Sequence, residues 1–167
     1  PVYTTLRGHF PLTYFFVTEC ATDAAVLPAY GGNWYDGAGY MNLHRHAWNR
    51  DHGWVTTAWN DMTNMVGTCN QTLYILSRAE EGAVKNTSLA EVKTMRAYAF
   101  WELMDLFGGV PLDTVYPSAG QNARASRTEV FNFVESELKA ALPYLKTDVS
   151  QATYGKPTRY FAYALLA

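Results

Sequence analysis

Residues 88–111, SLAEVKTMRAYAFWELMDLFGGVP, leave this chain few ways to fold. Val92, Met95, Ala99, Leu103 and Leu106 recur at spacings of three and four, the period that gathers side chains on one face of a helix. Tyr98, Phe100, Trp101 and Phe107 then widen the apolar stripe almost all round. A helix that is apolar on every side has to be enclosed by other helices. Both of its ends are marked. Ser88 with Glu91 three residues on has the form of a capping box, in which each side chain serves a backbone N–H left free at a helix start. Gly108 and Gly109 can adopt the left-handed conformation that closes a helix, and Pro111 prevents its return.

The same period recurs along the chain. Leu6, Phe10, Tyr14, Val17 and Cys20 fit a first helix, which Pro11 should start or kink because proline lacks an N–H and crowds the carbonyl four residues back. Trp59, Met62, Val66, Cys69, Leu73 and Leu76 fit a long helix from about Trp54 to Glu80, ended by Glu81-Gly82. Its short link to the next helix predicts an antiparallel pair. Ser126 and Glu129 form a second capping box, ahead of a face made by Val130, Val134, Leu138, Ala141 and Leu145. A last helix should begin near Thr158. No segment alternates apolar and polar residues as a half-buried strand would. The fold class expected is all-α.

Totals narrow the partners. A chain of 167 residues suffices for one domain with its own core. A net charge of −2 with 17% charged residues argues against nucleic acid, which calls for a basic surface. No apolar run approaches the ~20 residues that span a bilayer. Cys20 and Cys69 are too few for a disulfide framework and read as small buried residues, with one bridge between helices as the alternative. The chain opens at Pro1 and closes at Leu165-Leu166-Ala167 within a helical pattern, so a fragment of a longer protein is expected and a missing leader says nothing about location.

Chemistry points to residues 28–53, a long stretch without a sustained period that holds five of the 12 glycines. Long irregular connections in compact domains are usually functional or disordered, and Trp34, Tyr35, Tyr40 and Trp48 argue against disorder. Sugars are held by flat aromatic rings against their C–H faces and by amides and carboxylates against their hydroxyls. Asn33-Trp34-Tyr35-Asp36 offers both within four residues, and Tyr40 and Asn42 continue the pattern. Asn33, Trp34, Tyr35, Asp36 and Tyr40 are the candidate ligand residues; the competing reading is that the aromatics plug the loop onto the helices. His44, His46, His52 and Asp51 have a superficial metal spacing, but Arg45 lies between two of the histidines, so no metal is expected. Glu19, Asp23, Asp36 and Asp51 are the carboxylates a glycosidase reading would use, yet nothing sets any of them as a facing pair in an apolar pocket. No phosphate loop or nucleophile elbow is present, and neither catalytic residues nor a cofactor are expected.

Three blocks in order resemble the SusD-like (RagB) family of outer-membrane lipoproteins from gut and oral Bacteroidetes. They are Met95-Arg96-Ala97-Tyr98 through Phe107-Gly108-Gly109-Val110-Pro111-Leu112, then Arg127-Thr128-Glu129-Val130-Phe131 through Ala141-Leu142-Pro143, then Gly155-Lys156-Pro157-Thr158 through Ala164-Leu165-Leu166-Ala167. The chain departs from the family pattern at Met95, where Leu is commoner, and at Tyr160-Phe161, where small residues are usual. The resemblance implies tetratricopeptide-like helical hairpins with enlarged loops over residues 88–167. It also implies a non-catalytic protein on the outer face of the outer membrane, held by an N-terminal lipid anchor outside this fragment. Such a protein captures an oligosaccharide or polysaccharide and passes it to a TonB-dependent transporter. The alternatives are a glycoside-active helical enzyme and a protein-interaction scaffold of helical repeats.

Overall fold

The computed structural model describes residues 2–118, 120 and 122–167. Among them the regular structure is helical, with two isolated β-bridges and no strand. The main helices are α1 (Thr4–Gly8), α2 (Phe15–Glu19), α3 (Gly39–His44), α4 (Gly53–Ser77), α5 (Ala83–Phe107), α6 (Arg127–Ala141) and α7 (Arg159–Leu166). The chain forms two compact units, Tyr3–Asp61 and, together with Val2, Met62–Ala167.

In the first unit, Pro11 neither starts nor breaks the helix. The chain passes from α1 to α2 through a π-helical stretch, His9–Tyr14. Widening the turn there accommodates a residue that has no N–H and whose ring would crowd the carbonyl four residues back. The register change also alters which residues are buried. Phe10, expected in the core, is 44% exposed, while His9 and Thr13 are buried. Both meet Asp61 of α4: His9 Nδ1 lies 2.9 Å from Asp61 Oδ2, and the Thr13 hydroxyl donates to the same oxygen at 3.3 Å. Beyond them sits an apolar core of Phe16, Cys20, Tyr40 and Leu43, with Leu27 and Trp54 packed against it.

In the second unit, α5 is enclosed as its sequence requires, with every residue from Thr94 to Phe100 buried. It starts at Ala83, earlier than expected, and the Ser88–Glu91 box is not used as a cap. The reason lies in Lys85, whose Nζ donates to the carbonyls of Ser77 (3.1 Å) and Ala79 (3.0 Å) and pairs with Glu81 at 2.5 Å. These are carbonyls left unpaired by the end of α4, so residues 83–87 are held in a first turn by the helix before it. At the other end Gly108 closes α5 with φ 76°. Gly109 has a separate reason to be glycine, because a Cβ there would lie 2.2 Å from Ala125 O. That close approach lets Ala125 N–H donate to Val110 O at 3.1 Å and Arg124 Nε donate to Gly109 O at 2.7 Å.

Helix α6 starts on the expected capping box. Glu129 N–H donates to Ser126 Oγ, and Ser126 N–H donates to Glu129 Oε2 at 2.8 Å. All five residues of its expected face, Val130, Val134, Leu138, Ala141 and Leu145, are buried. Phe100 of α5 meets Phe133 of α6 edge to face, 5.1 Å between centroids. Arg96 lies buried among these helices. Arg96 donates from Nε (3.0 Å) and Nη2 (2.7 Å) to Glu137 Oε2, and from Nη1 to Asn70 Oδ1 (2.7 Å) and Thr114 O (3.0 Å). A single guanidinium thus joins α4, α5, α6 and the loop after α5. Thr158 caps α7, its hydroxyl accepting from Phe161 N–H.

Candidate glycan-binding turn and family membership

The stretch 28–53 is less irregular than its sequence indicates, since it holds a 3-10 turn (Asp36–Ala38) and helix α3. Ahead of these lies a tight reversal. Tyr30 and Asn33 exchange both backbone hydrogen bonds at 3.0 Å, with Gly31 and Gly32 at the tip. Gly31 takes φ 59° and Gly37 φ 63°, as glycine readily does. Trp34 (φ 59°), Asp36 (φ 39°) and Ala38 (φ 65°) adopt the left-handed region without that freedom. Such residues cost ~1–3 kcal/mol each and persist only where the surroundings enforce them. Their clustering within five residues marks a turn whose shape is held against its local preference.

That shape puts aromatic rings into solvent. Tyr30, Trp34 and Tyr35 are exposed, Trp34 by 53%. Trp34 is nevertheless anchored, meeting Tyr40 in a T-shaped contact at 5.7 Å. Tyr40 in turn packs on Phe16 at 4.8 Å and on Trp54 at 5.7 Å. The candidate residues of this loop differ in burial. Tyr40, expected as a ligand contact, is 8% exposed and belongs to the core; it supports Trp34 from behind. Burial first, and then the nearby Asp36 carboxylate, push the Tyr40 phenol above its usual pKa, so it stays a neutral ring. Asn33, Trp34, Tyr35 and Asp36 remain on the surface.

A cleft of about 410 Å³ opens where the aromatic turn ends, lined among others by Asp36, Asn42, His52, Trp54 and Thr57. His52 Nε2 lies 3.1 Å from Gly39 O, and the carbonyl can only accept, so the proton sits on Nε2. Nδ1 is covered and has no partner among the described residues. His46 instead stacks on Trp48 at 5.0 Å. Trp54 and Thr57 were not legible as site residues, because in the sequence they open an amphipathic helix. Only the structure brings them beside Asp36 in one cleft. Of the carboxylates considered for hydrolysis, Asp23, Asp36 and Asp51 are exposed and Glu19 is partly covered.

A family model described as "Starch-binding associating with outer membrane" matches residues 15–167. The chain belongs to the SusD-like family. Among relatives, a SusD-like protein of Bacteroides ovatus is 25% identical over 96% of this chain and 34% of its own length. A solved structure named as a laminarin binding SusD-like protein superposes with a TM-score of 0.85, at 25% identity, over 99% of this chain and 36% of that one. The surface glycan-binding protein A of Bacteroides uniformis superposes with a TM-score of 0.81 over 98% of this chain and 38% of that one; at 18% identity it speaks to the fold alone. This chain therefore spans about a third of the length of these relatives. None of its described helices is long and apolar enough to cross a membrane.

Proposed function

We propose that this SusD-like chain binds an oligosaccharide or polysaccharide at the outer-membrane surface, without catalysis. The observation that carries the reading is the strained turn 33–36. It presents two exposed aromatic rings, an amide and a carboxylate, and it is propped on a buried aromatic core. Rigid stacking surfaces beside fixed polar groups are what a sugar ring requires. Holding them in place before the ligand arrives lowers the ordering cost of binding. Trp34 and Tyr35 stack on the glycan, and Asn33 and Asp36 bind its hydroxyls. Asn42 and Trp54 continue the contact into the cleft, and Tyr40 acts only through Trp34.

Support for the ligand class comes from the family description, which names starch, and from a relative named for laminarin. The relative named for laminarin binding also favours capture over hydrolysis. In this reading the protein is an outward-facing lipoprotein on tetratricopeptide-like hairpins, and it delivers its glycan to a TonB-dependent transporter.

The test is isothermal titration of the full-length protein against maltoheptaose, laminarin hexasaccharide and a wider oligosaccharide panel, with chromatography of the product. Binding without cleavage is expected, and Trp34→Ala should weaken it by ~1–3 kcal/mol while the melting temperature stays close to that of the parent. Unchanged affinity in a folded Trp34→Ala protein would remove the turn from the site. Cleavage would move the protein to the enzymes.

A further inference from the structure

A second cleft, built from other residues, carries the features of a sugar site. It has a volume of about 530 Å³ and lies between α4 and the loop after α5. Asn64, Gly67 and Gln71 line it from the helix, and Asp113, Tyr116 and Ser118 from the loop.

Gly67 is the first clue. A glycine inside a 25-residue helix costs ~1 kcal/mol relative to alanine. Close packing is the usual reason for one, but a Cβ at Gly67 would meet nothing within 4 Å. What the missing side chain does is keep the cleft open.

The second clue is that the wall is fixed in advance. Asn70 Nδ2 donates to Asp113 O at 2.9 Å, and Arg96 Nη1 donates both to Asn70 Oδ1 and to Thr114 O. The loop's backbone is thereby tied to the ionic centre of the helices. Tyr116, 41% exposed, is backed by the Tyr74 ring at 5.5 Å, and its hydroxyl accepts from Gln71 Nε2 at 3.4 Å.

The third is an unused acceptor. Asp113 Oδ2 takes the Ser118 hydroxyl at 2.6 Å, but Oδ1 is covered from water and has no donor among the described residues. A covered carboxylate oxygen without a donor is costly. A ligand hydroxyl pressed against this side chain would relieve it.

Among the described residues no Lys, Arg or His lines the cleft, so it is unsuited to a phosphate or carboxylate. An aromatic face, three amides, several hydroxyls and one carboxylate suit a neutral polyhydroxylated ring. We propose that this cleft binds one neutral hexose residue as a carbohydrate contact additional to the Trp34 turn. The ligand class rests on the proposed glycan function; the site itself does not.

The experiment titrates the full-length protein and its Gly67→Trp, Gly67→Ala, Gln71→Ala and Trp34→Ala variants with maltoheptaose and laminarin hexasaccharide, alongside melting curves. Gly67→Trp fills the cleft from a position where the backbone is helical and the space is open. It should weaken binding about five- to tenfold, with Gln71→Ala and, to a smaller extent, Gly67→Ala in the same direction. If Gly67→Trp and Gln71→Ala bind normally while Trp34→Ala does not, this inference falls and the Trp34 reading stands. If they lose affinity while Trp34→Ala does not, the reverse holds. A parent protein that binds neither glycan overturns this inference.

Discussion

Helices α5 and α6 and the N-terminal stretch α1–α2 bury a similar kind of helical face by different means. In α6 the buried positions are those that the apolar period selects, Val130, Val134, Leu138 and Ala141. In the N-terminal stretch the period selects Phe10, yet His9 and Thr13 are inside and Phe10 is 44% exposed. The π-turn around Pro11 shifts the register, and Asp61 supplies the partner that makes a polar face buriable. Apolar burial is non-directional, so it follows from composition and spacing. Polar burial depends on one partner at hydrogen-bond distance, here 52 residues away in sequence.

The largest effect that would break this contrast concerns Arg96, where even the second unit relies on polar burial. Arg96→Ala would leave Glu137, 11% exposed, without its cation and Asn70 without its donor. Removing one partner of a buried ion pair costs ~3–5 kcal/mol, measurable by urea denaturation. Arg96→Met combined with Glu137→Leu should recover much of that loss, since replacing both partners with apolar groups of similar volume is often near neutral. If the double variant is as unstable as Arg96→Ala, the pair has a role beyond mutual neutralisation.

A smaller effect tests the N-terminal stretch directly. His9→Ala removes a fully enclosed side chain and its bond to Asp61, and is expected to cost ~2 kcal/mol. Phe10→Ala should cost less, ~1 kcal/mol or below, because nearly half of the residue already faces water. Ranked by hydrophobicity the two substitutions would fall in the opposite order. Equal or inverted losses in paired denaturation curves would return Phe10 to the core.

What could be read from the chain follows the same division. The α5 stop at Gly108-Gly109, the Ser126–Glu129 box, the Thr158 start and the α6 face all depend on contacts within a few residues or on apolar period. The start of α5 did not, because Lys85 reaches back to the carbonyls of Ser77 and Ala79, a tertiary cap stronger than the local Ser88 signal. In the candidate site, composition identified the aromatic-polar turn. It could not separate Trp34 from Tyr40, since both are amphipathic rings in a glycine-rich stretch. Backbone angles and burial separated them, and spatial proximity alone brought in Trp54 and Thr57.

The turn permits a finer test, in which stability and binding should part. Trp34 sits at φ 59°, where alanine is strained and glycine is not. Trp34→Gly should therefore be as stable as Trp34→Ala or more so, by ~0.5–1 kcal/mol, although glycine normally destabilises relative to alanine. Both variants should lose glycan affinity alike. If Trp34→Gly is clearly the less stable, the left-handed conformation at this residue is not intrinsic to the turn.

The smallest effect lies at the α6 cap and separates a local electrostatic contribution from the packing around it. The Ser126 hydroxyl and then its backbone N–H hold the Glu129 carboxylate below its usual pKa of 4.5. A depressed pKa in the folded state means that the unfolded chain takes up the proton first as pH falls. The cap's contribution is therefore complete above pH 4.5 and declines as the pH drops through the lower folded value. Glu129→Gln should flatten that part of the stability–pH curve while leaving the curve near neutrality almost parallel to the parent's. Glu129 is solvent-exposed, so salt should diminish the difference. An acid slope unchanged by the substitution would mean that the cap acts through geometry alone, which is how the buried face of α6 already acts.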